Sequence, residues 1–304
     1  MFLSEGTVVS TQHGYIKIED LINSDINVLT EQGFAKIKIT EVPTYDKQCV
    51  KLVLWSFYDQ LIIPSDNIAF GVNYHRCLDL GSVGPCLCKP YNRCWDQCPN
   101  DHPEKIHISS PKDLSFRDIR KNGYLLSPKT GNIVYSNNLP ENKKFYEKGY
   151  NYGKKYKDLL DIMPLIDIEY NLYSDPYEFF NFIKGWQDSM GGVTLDMWNY
   201  RFVLKNKELA YQIQFLLNYF GTPCAMADYH SNVFGDKCYL LEFCKYKKPF
   251  HYKTWDFNNY RYITVKKWTP LNMNDQLITT RKWYKIESYD NEIKYICCPF
   301  LCKI

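Results

Sequence analysis

The chain has no run of about 18 apolar residues, the length an α-helix needs to cross a bilayer, so no membrane span is expected. It does not open like a secretory leader either. Met1-Phe2-Leu3 is followed at once by Ser4-Glu5-Gly6, with neither a basic head nor an apolar stretch. An intracellular protein is therefore expected. Large net charge is also missing: +3 over 304 residues describes neither a polyacidic nor a polybasic chain. A helical period is missing from the first 70 residues, where β-branched runs such as GTVVST, YIKIEDL, FAKIKITEV, CVKLVLW and QLIIP alternate with Gly, Asn, Asp and Pro.

What is present bounds the answer further. Hydrophobic residues make up 45% of the chain, enough for a sizeable core, and the length suits about two domains at roughly 150 residues each. Charge is unevenly placed. Residues 1–75 are acidic on balance, whereas residues 245–285 hold ten Lys and Arg against two Asp. The string KYKKPFHYKTWDFNNYRYITVKKW, with Lys247, Lys248, Lys253, Arg261, Lys266 and Lys267, reads as a phosphate-binding surface with rings available for stacking, or as a solvated charged face. Twelve cysteines in an intracellular chain favour thiols or metal ligands over disulfides.

The stretch EFFNFIKGWQDSMGGV reads as a helix. Phe179, Phe182, Ile183 and Trp186 fall on one stripe, Asp175-Pro176 with Glu178 mark its start, and Gly191-Gly192 its stop. A second helix is expected in KNKELAYQIQFLLNYFG, capped by Asn206, closed by Gly221, with Leu209, Ile213, Leu216, Leu217 and Phe220 as its apolar stripe. VTLDMWNYRFVL, PCAMADYH and KCYLLEF read as strands around it.

Residues 183–191, with Gly185, Asp188 and Gly191, resemble the LAGLIDADG motif of homing endonucleases. Residues 146–155, with Gly149 and Gly153, resemble its first copy about 36 residues earlier, a short interval that leaves the first repeat without its sheet. The resemblance implies two helices packed at their glycines above a β saddle that lies in the DNA major groove. Candidate DNA contacts on that saddle are Thr194, Asp196, Trp198, Asn199, Arg201, Asp228, His230 and Asn232. The family's metal-binding acids would fall at Lys154 and Met190, an ammonium and a thioether, neither of which suits a hard divalent cation.

The two ends of the chain carry a second resemblance. Gly14 to Leu21, GYIKIEDL, and the following INVLT strand are similar to the opening of inteins and Hedgehog autoprocessing domains, the Hint fold; residues 106–135 and 262–304 resemble its later blocks. That family starts with a Cys or Ser nucleophile, uses a T-x-x-H histidine and ends in His-Asn. Here those positions hold Met1, Asn67 and Ile304. Asn67 can donate a hydrogen bond but cannot shuttle a proton near neutrality. Cys297, Cys298 and Cys302 are read as small buried hydrophobes. Between the Hint blocks, residues 75–107 form a Cys-rich insertion. There Cys86, Cys88, Cys94 and Cys98 are candidate ligands of a structural zinc, with free thiols or disulfides as the alternatives.

The expected fold class is α+β: an all-β Hint-like module, residues 1–137 and 251–304, split in sequence by an inserted α/β LAGLIDADG-like domain, 138–250. The resemblance implies a free-standing protein of viral or mobile-element origin that has lost splicing and nuclease catalysis and binds DNA. The alternatives are an assembly subunit holding protein partners, and a divergent nuclease using acids such as Asp188 or Asp161. No cofactor is required beyond the possible zinc.

Overall fold

The computed structural model describes residues 1–43, 45–72, 75–77, 106–108, 111–119, 121, 123–133, 135, 140–156, 175–190, 199–230, 237–244, 254–257 and 259–304. The fold is α+β, with antiparallel sheets.

Short β-branched runs separated by turn residues give short strands, and two turns share one chemistry. Thr11 and Thr30 each accept the backbone N–H two residues on, from His13 and Gln32, and each donate to the carbonyl of the glycine that closes the turn. Gly14 and Gly33 take φ of 106° and 114°, which a side chain would strain. The Ile18–Leu21 segment closes as a single 3₁₀ turn and buries Ile18 and Leu21.

Strands from both ends of the chain interleave. In a three-stranded sheet, Trp283–Ser288 lies between Phe2–Ser4 and Ile37–Val42. In the large sheet, Tyr295–Cys297 bridges Val28–Thr30 to Leu301–Lys303, which in turn reaches Ile68–Val72. The 12-residue strand Tyr260–Leu271 pairs with Tyr124–Pro128 through its first half and with Cys49–Leu54 through its second. A register shift between Val265 and Lys267 turns the strand between these partners. Within this β-rich end Gln276–Thr279 is one helical turn capped by Asp275, whose carboxylate accepts from Leu277 N. The capping aspartate is the local signal for that turn.

The middle of the chain supplies the helices α1 (Lys143–Tyr156), α2 (Pro176–Ser189) and α3 (Lys207–Phe220), and a separate sheet in the order Asn199–Leu204, Lys237–Cys244, Cys224–His230. Their starts and stops follow the sequence. The Asp175 carboxylate accepts from Tyr177 N, Asn206 accepts from Glu208 N and Leu209 N, and Gly221 closes α3 with φ of 114°. The stripes Phe179, Phe182, Ile183, Trp186 and Leu209, Ile213, Leu216, Leu217, Phe220 are all buried. They join the aliphatic interior of the interleaved strands in one continuous core. No helix among the described residues is long and apolar enough to cross a membrane.

α3 fastens the middle segment to the β body. Its Tyr211 hydroxyl and Lys207 ammonium both reach the Asp59 carboxylate at 2.7 Å. Gln214 donates to the Ser56 carbonyl, and Arg261 donates to the carbonyl of Asn218 near the helix end.

Candidate functional site

α1 and α2 run parallel and touch through glycine. A β-carbon at Gly149 would overlap the Phe182 carbonyl; one at Gly185 would overlap the Tyr146 carbonyl. The sequence interval from Gly149 to Gly185 equals that from Tyr146 to Phe182, so the contact is reciprocal: a local two-fold relates the two helices. Gly153 of α1 faces Trp186 and Ser189 of α2, the latter one same interval further along the chain. Small residues at these points let the backbones approach closer than any side chain would permit.

The described side chains at the C-terminal ends of the pair are Lys154 on α1 and Asp188, Ser189 and Met190 on α2. Lys154 is exposed. The Met190 sulfur takes the Trp186 indole N–H at 2.8 Å, and the Ser189 hydroxyl turns back onto the Trp186 carbonyl. Asp188 points outward and accepts the Tyr146 hydroxyl at 3.0 Å, with Lys184 6.0 Å from the same ring. Burial, together with the adjacent Asp188 carboxylate, raises the Tyr146 phenol above its ordinary range. Gly191 lies outside the described residues. Among the described residues no three or more His, Cys, Asp or Glu side chains are grouped to hold a metal. Cys86, Cys88, Cys94 and Cys98, the candidate zinc ligands, lie outside the described residues.

Where the Hint resemblance expects acyl-shift chemistry, the structure has clamps. Asn67 is buried; its amide donates to the Phe2 carbonyl at 2.6 Å and receives the Phe2 N–H at 3.5 Å, acting as a side-chain strand partner. Met1 exchanges backbone bonds with Ile286, and Ile304 N donates to the Lys294 carbonyl. Cys297, Cys298 and Cys302 are buried. Burial pushes the Cys297 thiol up to about 11, and burial, with Cys302 beside it, raises that of Cys298. Thiols held neutral in this way are poor nucleophiles.

The expected DNA contacts divide. Trp198, Asn232, Lys247, Lys248 and Lys253 lie outside the described residues, as do Thr194 and Asp196. Asn199 opens its strand opposite Cys244, and His230 ends its strand opposite Lys237. Arg201 is only half-exposed and is paired at 3.3 Å with Glu242, itself buried. Its neighbours on that face of the sheet, Val203, Ala225, Ala227 and Leu240, carry no charge, so the described part of the face is neutral. Asp228 is exposed but alternates in phase with buried Cys224 and Met226, on the helix side of the sheet. Arg261, expected on a phosphate-binding surface, is instead buried: its guanidinium forks onto Asp256 at 2.7 and 3.0 Å while a third donor takes the Asn218 carbonyl. The Asp256 carboxylate two positions into the preceding strand claims it. Lys266 and Lys267 are exposed side by side at the register shift, Lys266 standing 4.5 Å from the Trp55 ring.

Sequence reasoning read α1 for its glycines and passed over its charge. Its 14 residues, KKFYEKGYNYGKKY, hold five Lys and one Glu. The signal was the spacing of Lys144, Lys148 and Lys155. The chain matches no known protein family, and no curated protein matches it.

Proposed function

We propose that this chain is a non-catalytic descendant of an intein carrying a LAGLIDADG homing endonuclease, and that it binds duplex DNA without cutting it. The observation that carries the reading is the reciprocal glycine contact between two parallel helices. It supports a LAGLIDADG-like pair, whose ends here offer Lys154 and Met190 in place of two carboxylates. An ammonium at that place repels a divalent cation and attracts a phosphate. The interleaving of both chain ends in one β body supports a Hint-like module split by an insertion, with Asn67 clamped onto the Phe2 carbonyl at the place of the splicing histidine. Anisotropy titration of labelled duplex DNA across a salt series tests the binding. The expectation is measurable affinity at about 50 mM salt that falls steeply by about 200 mM; none at about 50 mM would refute it. Incubation with plasmid libraries and Mg²⁺ or Mn²⁺ is expected to leave DNA uncut, and cleavage would restore the nuclease alternative.

A second reading, an assembly subunit that holds a protein partner, is favoured by the sheet face on which Arg201 and Glu242 neutralise each other among Val203, Ala225, Ala227 and Leu240. Such a face suits a protein better than a polyanion. A stable co-purifying protein, with no DNA affinity, would establish it.

A further inference from the structure

We infer that the phosphate contacts of this chain come from one flank of α1, through Lys144, Lys148 and Lys155 with Asn151 among them, and not from the sheet. The inference rests on the DNA-binding reading and says which surface does the binding.

At about 100° per residue these four side chains fall on a single flank of the helix. All four are exposed. The one carboxylate of α1, Glu147, lies about 70° round the helix from the centre of the row, on the side of Lys143, with which it pairs at 3.9 Å. The row itself carries three lysines and no carboxylate. Two of its lysines are braced by rings: Lys144 stands 5.4 Å from the Phe145 ring and Lys155 5.1 Å from that of Tyr156. Such bracing reduces the rotamer freedom a phosphate contact must remove.

The geometry fits a polyanion. From Lys144 to Lys155 the helix rises about 16 Å at 1.5 Å per residue, enough to follow several phosphates of one strand at about 3.4 Å each along the duplex axis. Asn151 offers a neutral hydrogen-bond donor within the row. α1 is itself held rigid by the glycine contact with α2, so the row presents a fixed line of charge. The described sheet face lacks such a line, because its Arg201 is spent on Glu242.

The test compares three forms of the full chain on a labelled random-sequence duplex between about 50 and 200 mM salt. They are the parent, the triple variant Lys144→Gln/Lys148→Gln/Lys155→Gln, and a charge-matched control, Lys17→Gln/Lys38→Gln/Lys112→Gln, whose lysines are exposed elsewhere. Each lost phosphate contact removes about 0.9 from the slope of log affinity against log salt. The triple variant is therefore expected to lose about 2–3 from that slope, and at least tenfold in affinity at about 100 mM salt; the control keeps the parent slope. Should the triple variant misfold by circular dichroism, the single variants serve, each expected to lower the slope by about one. A parent that binds while the triple variant keeps its slope, or a control that falls equally, overturns the inference and leaves the DNA reading standing. A parent that binds no DNA at about 50 mM salt overturns both.

Discussion

A carbonyl oxygen decides what Gly149 can become. The Phe182 backbone lies where a β-carbon would go, and backbone cannot rotate aside as a side chain can. Gly149→Ala is expected to cost roughly 1–3 kcal/mol, the usual range for overpacking, and Gly185→Ala about as much because its contact is the mirror of the first. Urea midpoints would show this, with exposed Asn151→Ala in the same helix as a reference expected to stay within about 0.5 kcal/mol. A Gly149→Ala midpoint equal to that of the reference would mean the helices do not meet there. The thiols and phenols make a second residue-scale prediction. Burial raises Cys297 from an ordinary 9.0 to about 11 and Tyr262 from 10.0 to about 12. Both groups bind their proton more tightly folded than unfolded. Their contribution is thus complete below pH 9 and drains away as pH climbs through 9 to 11 for the thiol and 10 to 12 for the phenol. Urea midpoints should fall above pH 9; midpoints that stay level to pH 11 would contradict the burial of these groups. At this scale the glycines were legible only through the motif that the two stretches resemble, which implies helices packed at those positions. The fate of Arg261 was not, because its partners Asp256 and Asn218 come together only once the strand Thr254–Phe257 folds back and α3 docks.

Elements begin and end where local chemistry tells them to, and α3 is the clearest case. Asn206 satisfies two of the N–H groups that the first turn leaves open, so Asn206→Ala is expected to cost about 1 kcal/mol. Gly in the same place should cost only a few tenths. Thermal denaturation of the two variants would check the difference in order. Docking of the helix is a separate matter. Asp59 receives Tyr211 and Lys207 together at the seam with the β body; Tyr211 is buried, while Asp59 and Lys207 are partly solvent-exposed. Asp59→Ala is therefore expected to cost about 1.5–3 kcal/mol, the range for a hydrogen bond to a charged group, reduced by that exposure. A double-mutant cycle with Tyr211→Phe should return a coupling well above zero; additivity would show that the two groups do not cooperate. Caps and stripes of α2 and α3 were readable because both are local in sequence. The Asp59 seam spans 148 residues and left no local trace.

For the molecule as a whole, the α+β class followed from short β-branched runs at both ends around a helical middle. The pairing did not, since period-2 alternation names a strand's faces and not its neighbours. Phe2–Ser4 and Ile37–Val42 are separated by a strand that starts at Trp283. Deleting residues 254–304 should therefore abolish cooperative unfolding of the remaining β strands, and a sharp urea transition in that truncation would contradict the interleaving.

The same interleaving sets a timetable for synthesis. At about 5–20 residues per second, roughly 15–60 s separate the emergence of the first strand from that of its neighbour on the ribosome. Throughout that wait the amino-terminal strands expose unpaired backbone and apolar faces, while α2 and α3 can already form from contacts nearby in the chain. The newborn protein thus spends most of its translation as a partly built sheet, and anything that shelters that sheet, or stalls the ribosome before Trp283, governs how much of it survives to fold.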